Sequence, residues 1–351
     1  MVLALAKEIA MRKNEVEDKV ETIYFGGGTP SVLSIEEINF LIDEVYRNYN
    51  VIEKPEITLE ANPDDLTVLQ IRKLANSQIN RLSIGIQSFF EDDLQMMNRA
   101  HNAVQAKECL QEATKYFDNI TIDLIYGIPN MSDKKWLKNI EIALSFRIPH
   151  ISAYALTVEP KTALKKLIEK GEIPKPKDEA VENHFFILVE KLKENGFVHY
   201  ELSNFGKEDY FSKNNTSYWS GKKYIGIGPS AHSYDGTHRS WNIANNSIYI
   251  KEIQNAGLTD GQGKLPNEKE KLTLSDRYNE YVMTGLRTIW GISLDKIQTD
   301  FGYNYYDYLI KISEKLIENG LLENNGQKIT VTQKGKFLSD GLASELFFID
   351  Q

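Results

Sequence analysis

The sequence predicts an α/β protein built on a parallel sheet, and three observations carry that prediction. Short apolar runs suited to buried strands alternate with stretches of helical spacing between residues 22 and 205. The first such run breaks into three successive glycines, Gly26, Gly27 and Gly28, in TIYFGGGTPSVLS. Polar side chains recur where successive strands end, the edge at which parallel α/β folds place their ligands. At this level an open doubly wound sheet and a barrel-like sheet satisfy the pattern equally.

The chain opens on a helix over residues 3–16, with Leu3, Leu5, Ala6, Ile9 and Ala10 at helical spacing and no strand before it. In the glycine loop that follows the first strand, missing Cβ atoms let backbone N–H and C=O groups approach a small polar ligand closely. The loop lacks the Lys and Ser/Thr that end a P-loop, and it is not a GxGxxG turn. A helix over 35–49 carries Ile35, Ile38, Leu41, Ile42 and Val45 as its buried stripe.

The unit then recurs. EITLEA (56–61) is a strand, NPDD a loop, and Thr67 opens a helix. RLSIGIQ (81–87) is the next strand, with Ser88 and Glu91 read as the cap of the helix after it. A helix bearing Val104, Cys109, Leu110, Ala113 and Phe117 leads to ITIDLIY (120–126), closed by Gly127 and Pro129. Trp136, Leu137, Ile140, Ala143 and Leu144 mark another helix, HISAYALT (150–157) another strand, and a helix over 179–194 leads to HYELSNF (199–205). Strands alternating with helices at this spacing argue for right-handed crossovers.

Gly27, Gly28, Thr29, Glu60, Gln87 and residues 123–127 fall at or near the C-terminal ends of these strands, with Arg99 close behind. Singly, Glu60 serves as well for a helix cap, Arg99 for a surface pair with Glu91 or Asp92, and Asp123 for a backbone turn. In register along one sheet edge they read as a ligand site.

The 351 residues carry a net charge of −9, which argues against a nucleic-acid partner. No apolar run approaches the roughly 18 residues of a membrane span, and the charged N-terminal stretch does not read as a signal peptide, so the expected location is the cytoplasm. The lone Cys109, on a core-facing helix, allows neither a disulfide nor a cysteine-ligated metal, and no metal site is predicted.

The predicted organisation is a βα domain over 1–205, an aromatic and Gly-rich loop region over 206–254, a polar linker over 255–271 and a helical, winged-helix-like domain over 272–351. His232 and His238 lie in the aromatic region near Tyr234 and Trp241, a setting that reads first as packed, hydrogen-bonded histidine.

The stretches YFGGGTPSVL, EANPDDLT, INRLSIGIQSFFEDDL with Arg99, IDLIYGIPN, ISAYALTVEPKT, HYELSNF and SYWSGKKYIGIGPSAHSY together resemble the radical S-adenosylmethionine (SAM) enzymes of the oxygen-independent coproporphyrinogen oxidase family. Within it, the branch that looks nearest is that of the HemW-type heme chaperones. The resemblance implies an incomplete TIM-type barrel of six βα units lacking its first strand here. It implies SAM at the C-terminal strand edge, with the loop of Gly27, Gly28 and Thr29 on the methionyl end. Glu60, Gln87, Arg99 and Asp123 match positions that hold the cofactor's polar groups. An ammonium, a carboxylate and ribose hydroxyls suit, respectively, loop backbone groups, Arg99 and hydrogen-bonding side chains.

The family's CxxxCxxC loop, which holds a [4Fe–4S] cluster, has no counterpart in these residues. The expected reason is a start assigned at an internal Met, omitting on the order of 30 residues; a natural cluster-less relative is the alternative. As it stands the chain is not expected to generate a radical, and whether it is an enzyme stays open. The chaperone reading implies heme or porphyrin as ligand and a heme-accepting apoprotein, a respiratory one at the membrane, as partner. Asn214 stands where the chaperones' HNxxYW pattern has His, which leaves His232, with Tyr218 and Trp219, as the heme candidates. The alternative is an oxygen-independent coproporphyrinogen III oxidase, inactive in this form.

Overall fold

The computed structural model describes residues 1–160, 162–256 and 265–349. The chain opens on α1 (Val2–Met11) and then builds the βα series: β1 (Val20–Phe25), α2 (Ile35–Asn48), β2 (Val51–Ala61), α3 (Val68–Ala75), β3 (Arg81–Gln87), α4 (Glu91–Met96) and α5 (Ala103–Ala113). It continues through β4 (Ile120–Tyr126), α6 (Asp133–Ser145), β5 (His150–Ala155), α7 (Ala163–Glu169), α8 (Asp178–Glu194), β6 (Val198–Glu201) and β7 (Asn204–Gly206). The seven strands form one curled half-barrel sheet in the order β1-β2-β3-β4-β5-β7-β6, with β2 to β5 parallel.

Two compact units divide the chain: Met1–Ile23, Glu36–Pro55 and Lys213–Gln351 in one, Tyr24–Ile35 and Glu56–Ser212 in the other. In the second unit, alternation along the strands sorts side chains onto two faces. Ile57, Leu59, Leu82, Ile84, Ile122, Leu124 and Ile151 are fully or almost fully buried. Between them stand Thr58, Glu60, Ser83, Gly85, Thr121, Asp123, His150 and Ser152, so the opposite face is polar. Register aligns Glu60 with Ser83, Ser83 with Thr121, and Asp123 with Ser152.

Two local expectations are corrected. HYELSNF is not one more parallel strand: it is the hairpin β6–β7, and β7 runs antiparallel to both β5 and β6. Two residues between strands allow a reversal but no crossover, and Ser152 fixes the inserted strand by donating to Asn204 Oδ1 at 2.5 Å. Ser88 and Glu91 do not pair as a cap. The Ser88 hydroxyl donates to Asp93 at 2.7 Å, and the Glu91 carboxylate accepts from Ala103 N at the start of α5.

In the first unit, α1 carries a buried carboxylate. Glu8 accepts from Arg12 Nη1 (3.2 Å), Asn242 Nδ2 (2.7 Å), Tyr249 OH (2.5 Å) and Gly228 N (2.8 Å). Arg12 also donates to Glu15, to Gly226 O (2.7 Å) and to Ser233 Oγ (3.1 Å), so the pair ties down the 226–233 loop.

The stretch read as a loop over 206–254 contains α9 (Lys213–Trp219), β8 (His232–Tyr234), β9 (His238–Asn242) and α10 (Asn246–Asn255). Of the linker read over 255–271, residues 257–264 lie outside the described residues, and β10 (Asn267–Lys271) pairs antiparallel with β9. The C-terminal helical domain runs α11 (Leu274–Leu286), β11 (Ile292–Ser293), α12 (Leu294–Phe301), α13 (Tyr303–Glu318), β12 (Leu322–Asn324), β13 (Lys328–Val331) and α14 (Ser339–Glu345). Its strands pair as β11-β13-β12 over a core that includes Tyr278, Val282, Leu309, Ile329 and Leu346.

Candidate cofactor site

At the C-terminal edge of the half-barrel, β1 delivers Tyr24 and the glycine loop against the end of β2. Tyr24 OH donates to Glu60 Oε1 at 2.7 Å, and Gly27 N–H donates to Glu60 Oε2 at 3.3 Å. A Cβ on Gly26 would lie 2.6 Å from the Tyr24 ring and 2.9 Å from the Glu60 carboxyl, so only glycine lets the loop close on this pair. Gly27 has φ +76°, and around Gly27 and Gly28 the space is open. Thr29 follows in the loop and leads into the turn begun by Pro30, where Ser31 donates to Asp65 at 2.7 Å.

The end of β3 supplies the next group. A bulge between Ile84 and Gln87 shifts the register, and Gln87 takes φ +65°, an uncommon conformation for a residue with a side chain. A Cβ on Gly85 would meet Gln87 Nε2 at 2.9 Å, Arg99 Nη2 at 3.4 Å and Asn62 Oδ1 at 3.6 Å. The bare Gly85 thus sits beneath a converging amide, guanidinium and second amide. Arg99 Nη2 donates to Asn62 Oδ1 at 3.2 Å, in place of the surface pairing with Glu91 or Asp92 that its sequence position alone also allows. His101 Nε2 is hydrogen-bonded to Ile86 O at 3.0 Å, which secures the segment after α4 to the same strand end.

Asp123, on β4, faces the same polar interior. Burial, reinforced by the Glu60 charge, pushes its carboxyl up to about 7, against the opposing pull of Arg81, the Ser152 hydrogen bond and Arg99. The structure therefore brings together Glu60 with Gly27 and, separately, Gln87 with Arg99, while Asp123 is coupled electrostatically to Glu60 and Arg99. Tyr24, Asn62 and Arg81 are not among the residues that the sequence pattern marks as site residues. Asn62 lies two residues beyond Glu60 at a strand end, a position that could have marked it, whereas a strand tyrosine reads as apolar packing.

The residues present suit SAM and do not suit the iron–sulfur cluster of its usual enzymes. Open space lies at Gly27 and Gly28, while the bare Gly26 and Gly85 let carboxylate, amide and guanidinium groups close in, the donor and acceptor set that the amino-acid and ribose groups require. Cys109, in contrast, is buried on α5 with its thiol pushed up to about 12 by burial. Among the described residues no three His, Cys, Asp or Glu side chains are grouped to hold a metal.

The heme candidates lie in the first unit. His232 is exposed on β8, with its ring centroid 6.1 Å from that of Trp241. Tyr218 meets Tyr224 edge-on at 4.5 Å, and Tyr224 bridges to Tyr234, which shares a strand face with His232. Trp219 lies under the Arg287 guanidinium, 5.5 Å away. Asn214, on α9, accepts from the Thr22 hydroxyl at 3.1 Å.

The comparisons with known proteins place the chain in the radical SAM class. The Radical SAM superfamily model matches residues 3–143, and the HemN C-terminal domain model matches residues 272–338. The chain is 33% identical over 327 residues to the heme chaperone HemW of Bacillus subtilis (strain 168), covering 92% of this chain and 84% of that one. It is 33% identical over 334 residues to the heme chaperone HemW of Lactococcus lactis subsp. lactis (strain IL1403), covering 95% and 86%. On this evidence the chain belongs to the HemW family of the radical SAM superfamily. The structure of coproporphyrinogen III oxidase (HemN) from Escherichia coli superposes with a TM-score of 0.82 at 21% identity, over 98% of this chain and 82% of that one, a likeness of fold.

Proposed function

We propose that this chain is a heme chaperone that binds SAM in its half-barrel and heme on its aromatic face, and that it passes heme to an apoprotein, a respiratory one at the membrane. The observation that carries the reading is the shared third of its residues with HemW proteins over most of both chains. Among the described residues no helix is long and apolar enough to cross a membrane, and the reading is of a cytoplasmic protein that meets its client at the membrane surface.

In this reading the Glu60 carboxylate and the loop of Gly27, Gly28 and Thr29 take the cofactor's ammonium. Arg99, steadied by Asn62, takes its carboxylate. Asp123 and Gln87 serve the ribose and neighbouring polar groups. SAM would supply a sulfonium whose reductive cleavage defines the class. The described residues provide no thiolate set for a cluster.

Heme would lie against the face that displays His232 and Tyr234 beside Tyr218 and Tyr224, with the His232 imidazole as the iron ligand. Heme titration followed through the Soret band tests this. A saturable shift at one heme per chain that is diminished in His232→Ala is the expected outcome. An unshifted spectrum, or a shift that His232→Ala leaves intact, would count against the assignment. Consumption of coproporphyrinogen by the same protein would favour the oxidase reading instead.

A further inference from the structure

We infer that Tyr24 is a positioning residue for the amino-acid end of SAM: its hydroxyl holds the Glu60 carboxylate in the orientation that meets both the Gly27 N–H and an incoming ammonium. The inference rests on the SAM reading above and deepens it. Three independent features of the structure support it.

The first is the geometry of the carboxylate. Oε1 takes the Tyr24 hydroxyl at 2.7 Å and Oε2 takes the Gly27 N–H at 3.3 Å. A carboxylate has about four lone-pair sites, so each oxygen keeps one for a further donor, and an ammonium offers three. Two fixed hydrogen bonds, one per oxygen, remove the rotation that a free glutamate would lose only when ligand arrives.

The second is the glycine. The side chain that Gly26 lacks would occupy the space filled by the Tyr24 ring edge, at 2.6 Å, and by the Glu60 carboxyl, at 2.9 Å. The first glycine of the loop is therefore matched to the tyrosine–glutamate pair. The third is the choice of tyrosine. Phenylalanine would fill the same half-buried strand position, whereas a phenol hydroxyl is costly there unless bonded. Burial and the Glu60 charge keep the phenol protonated, so it acts only as a donor toward the carboxylate.

The test is calorimetric titration of wild type, Tyr24→Phe and Gly26→Ala with three ligands: SAM, S-adenosylhomocysteine and 5′-methylthioadenosine, the last of which has no amino-acid end. Freeing the Glu60 side chain to rotate before ligand arrives should raise the dissociation constants of the first two in Tyr24→Phe by about 3- to 10-fold. Methylthioadenosine binding should change by less than about twofold. Gly26→Ala should show the same selectivity, because its methyl group must displace the ring or the carboxyl. Circular dichroism and melting temperature verify that each variant is folded.

Unchanged SAM binding in a folded Tyr24→Phe would overturn the inference and leave the SAM reading standing. Equal losses for all three ligands would make Tyr24 a residue of the fold and also overturn it. Failure of the wild type to bind SAM would overturn both.

Discussion

Arg99 Nη2 donates to Asn62 Oδ1 at 3.2 Å, joining the loop after β2 to the segment after α4 across 37 positions of sequence. The bond aims a planar cation at the space beside Gly85. Arg99→Ala should weaken SAM binding by about tenfold or more, the loss of a charge-assisted contact. Arg99→Lys should recover only part of it, because an ammonium cannot reproduce the fork. Equilibrium dialysis with labelled SAM measures both variants, and an Arg99→Lys variant as tight as wild type would refute a forked contact.

Asp123 gives the half-barrel a pH signature. Its carboxyl rises from the ordinary value of 3.8 to about 7 in the folded chain, so the folded state binds the extra proton between these values. The stabilising contribution is therefore fully present below about pH 4 and is lost as pH rises through about 7. Asp123→Asn should melt higher than wild type at pH 8, and the gap should narrow steadily as pH falls toward 4. Melting curves across that range check it; a gap independent of pH would refute the elevated pKa.

The buried Glu8 accepts four hydrogen bonds from groups that span much of its unit. Glu8→Ala leaves Arg12, Asn242, Tyr249 and the Gly228 N–H without that partner and should cost about 3–5 kcal/mol. Glu8→Gln keeps the shape and part of the bonding and should cost less. Urea denaturation reads both. Hydrogen exchange in the 226–233 loop should accelerate in Glu8→Ala, since Glu8 and Arg12 tie it down.

Much of this arrangement was legible in the sequence because short β-rich runs alternate with stretches of helical spacing, and the runs here end in polar residues. Glu60, Gln87 and Asp123 could be placed at one edge from spacing alone. The hairpin of β6 and β7 escaped because its reversal uses only Leu202 and Ser203, inside what reads as one strand. Strand β10, NEKEK, has no apolar alternation; its pairing with β9 supplies the order that composition does not. Glu8 and Arg12 have the i, i+4 spacing of a solvated helix pair, and apart from Glu15 their other partners lie more than 210 positions away. Tyr24 reads as strand packing until the Glu60 carboxylate is seen beside its hydroxyl.

The most direct test of the account is calorimetric titration of wild type and Glu60→Gln with SAM. Glu60 is the carboxylate on which the Tyr24 hydroxyl and the Gly27 N–H converge, and it is the proposed partner of the cofactor's ammonium. Saturable binding at one SAM per chain, weakened by at least about tenfold in a folded Glu60→Gln, is the predicted result. No saturable binding by folded wild type, or equal affinity in the two proteins, would contradict the site.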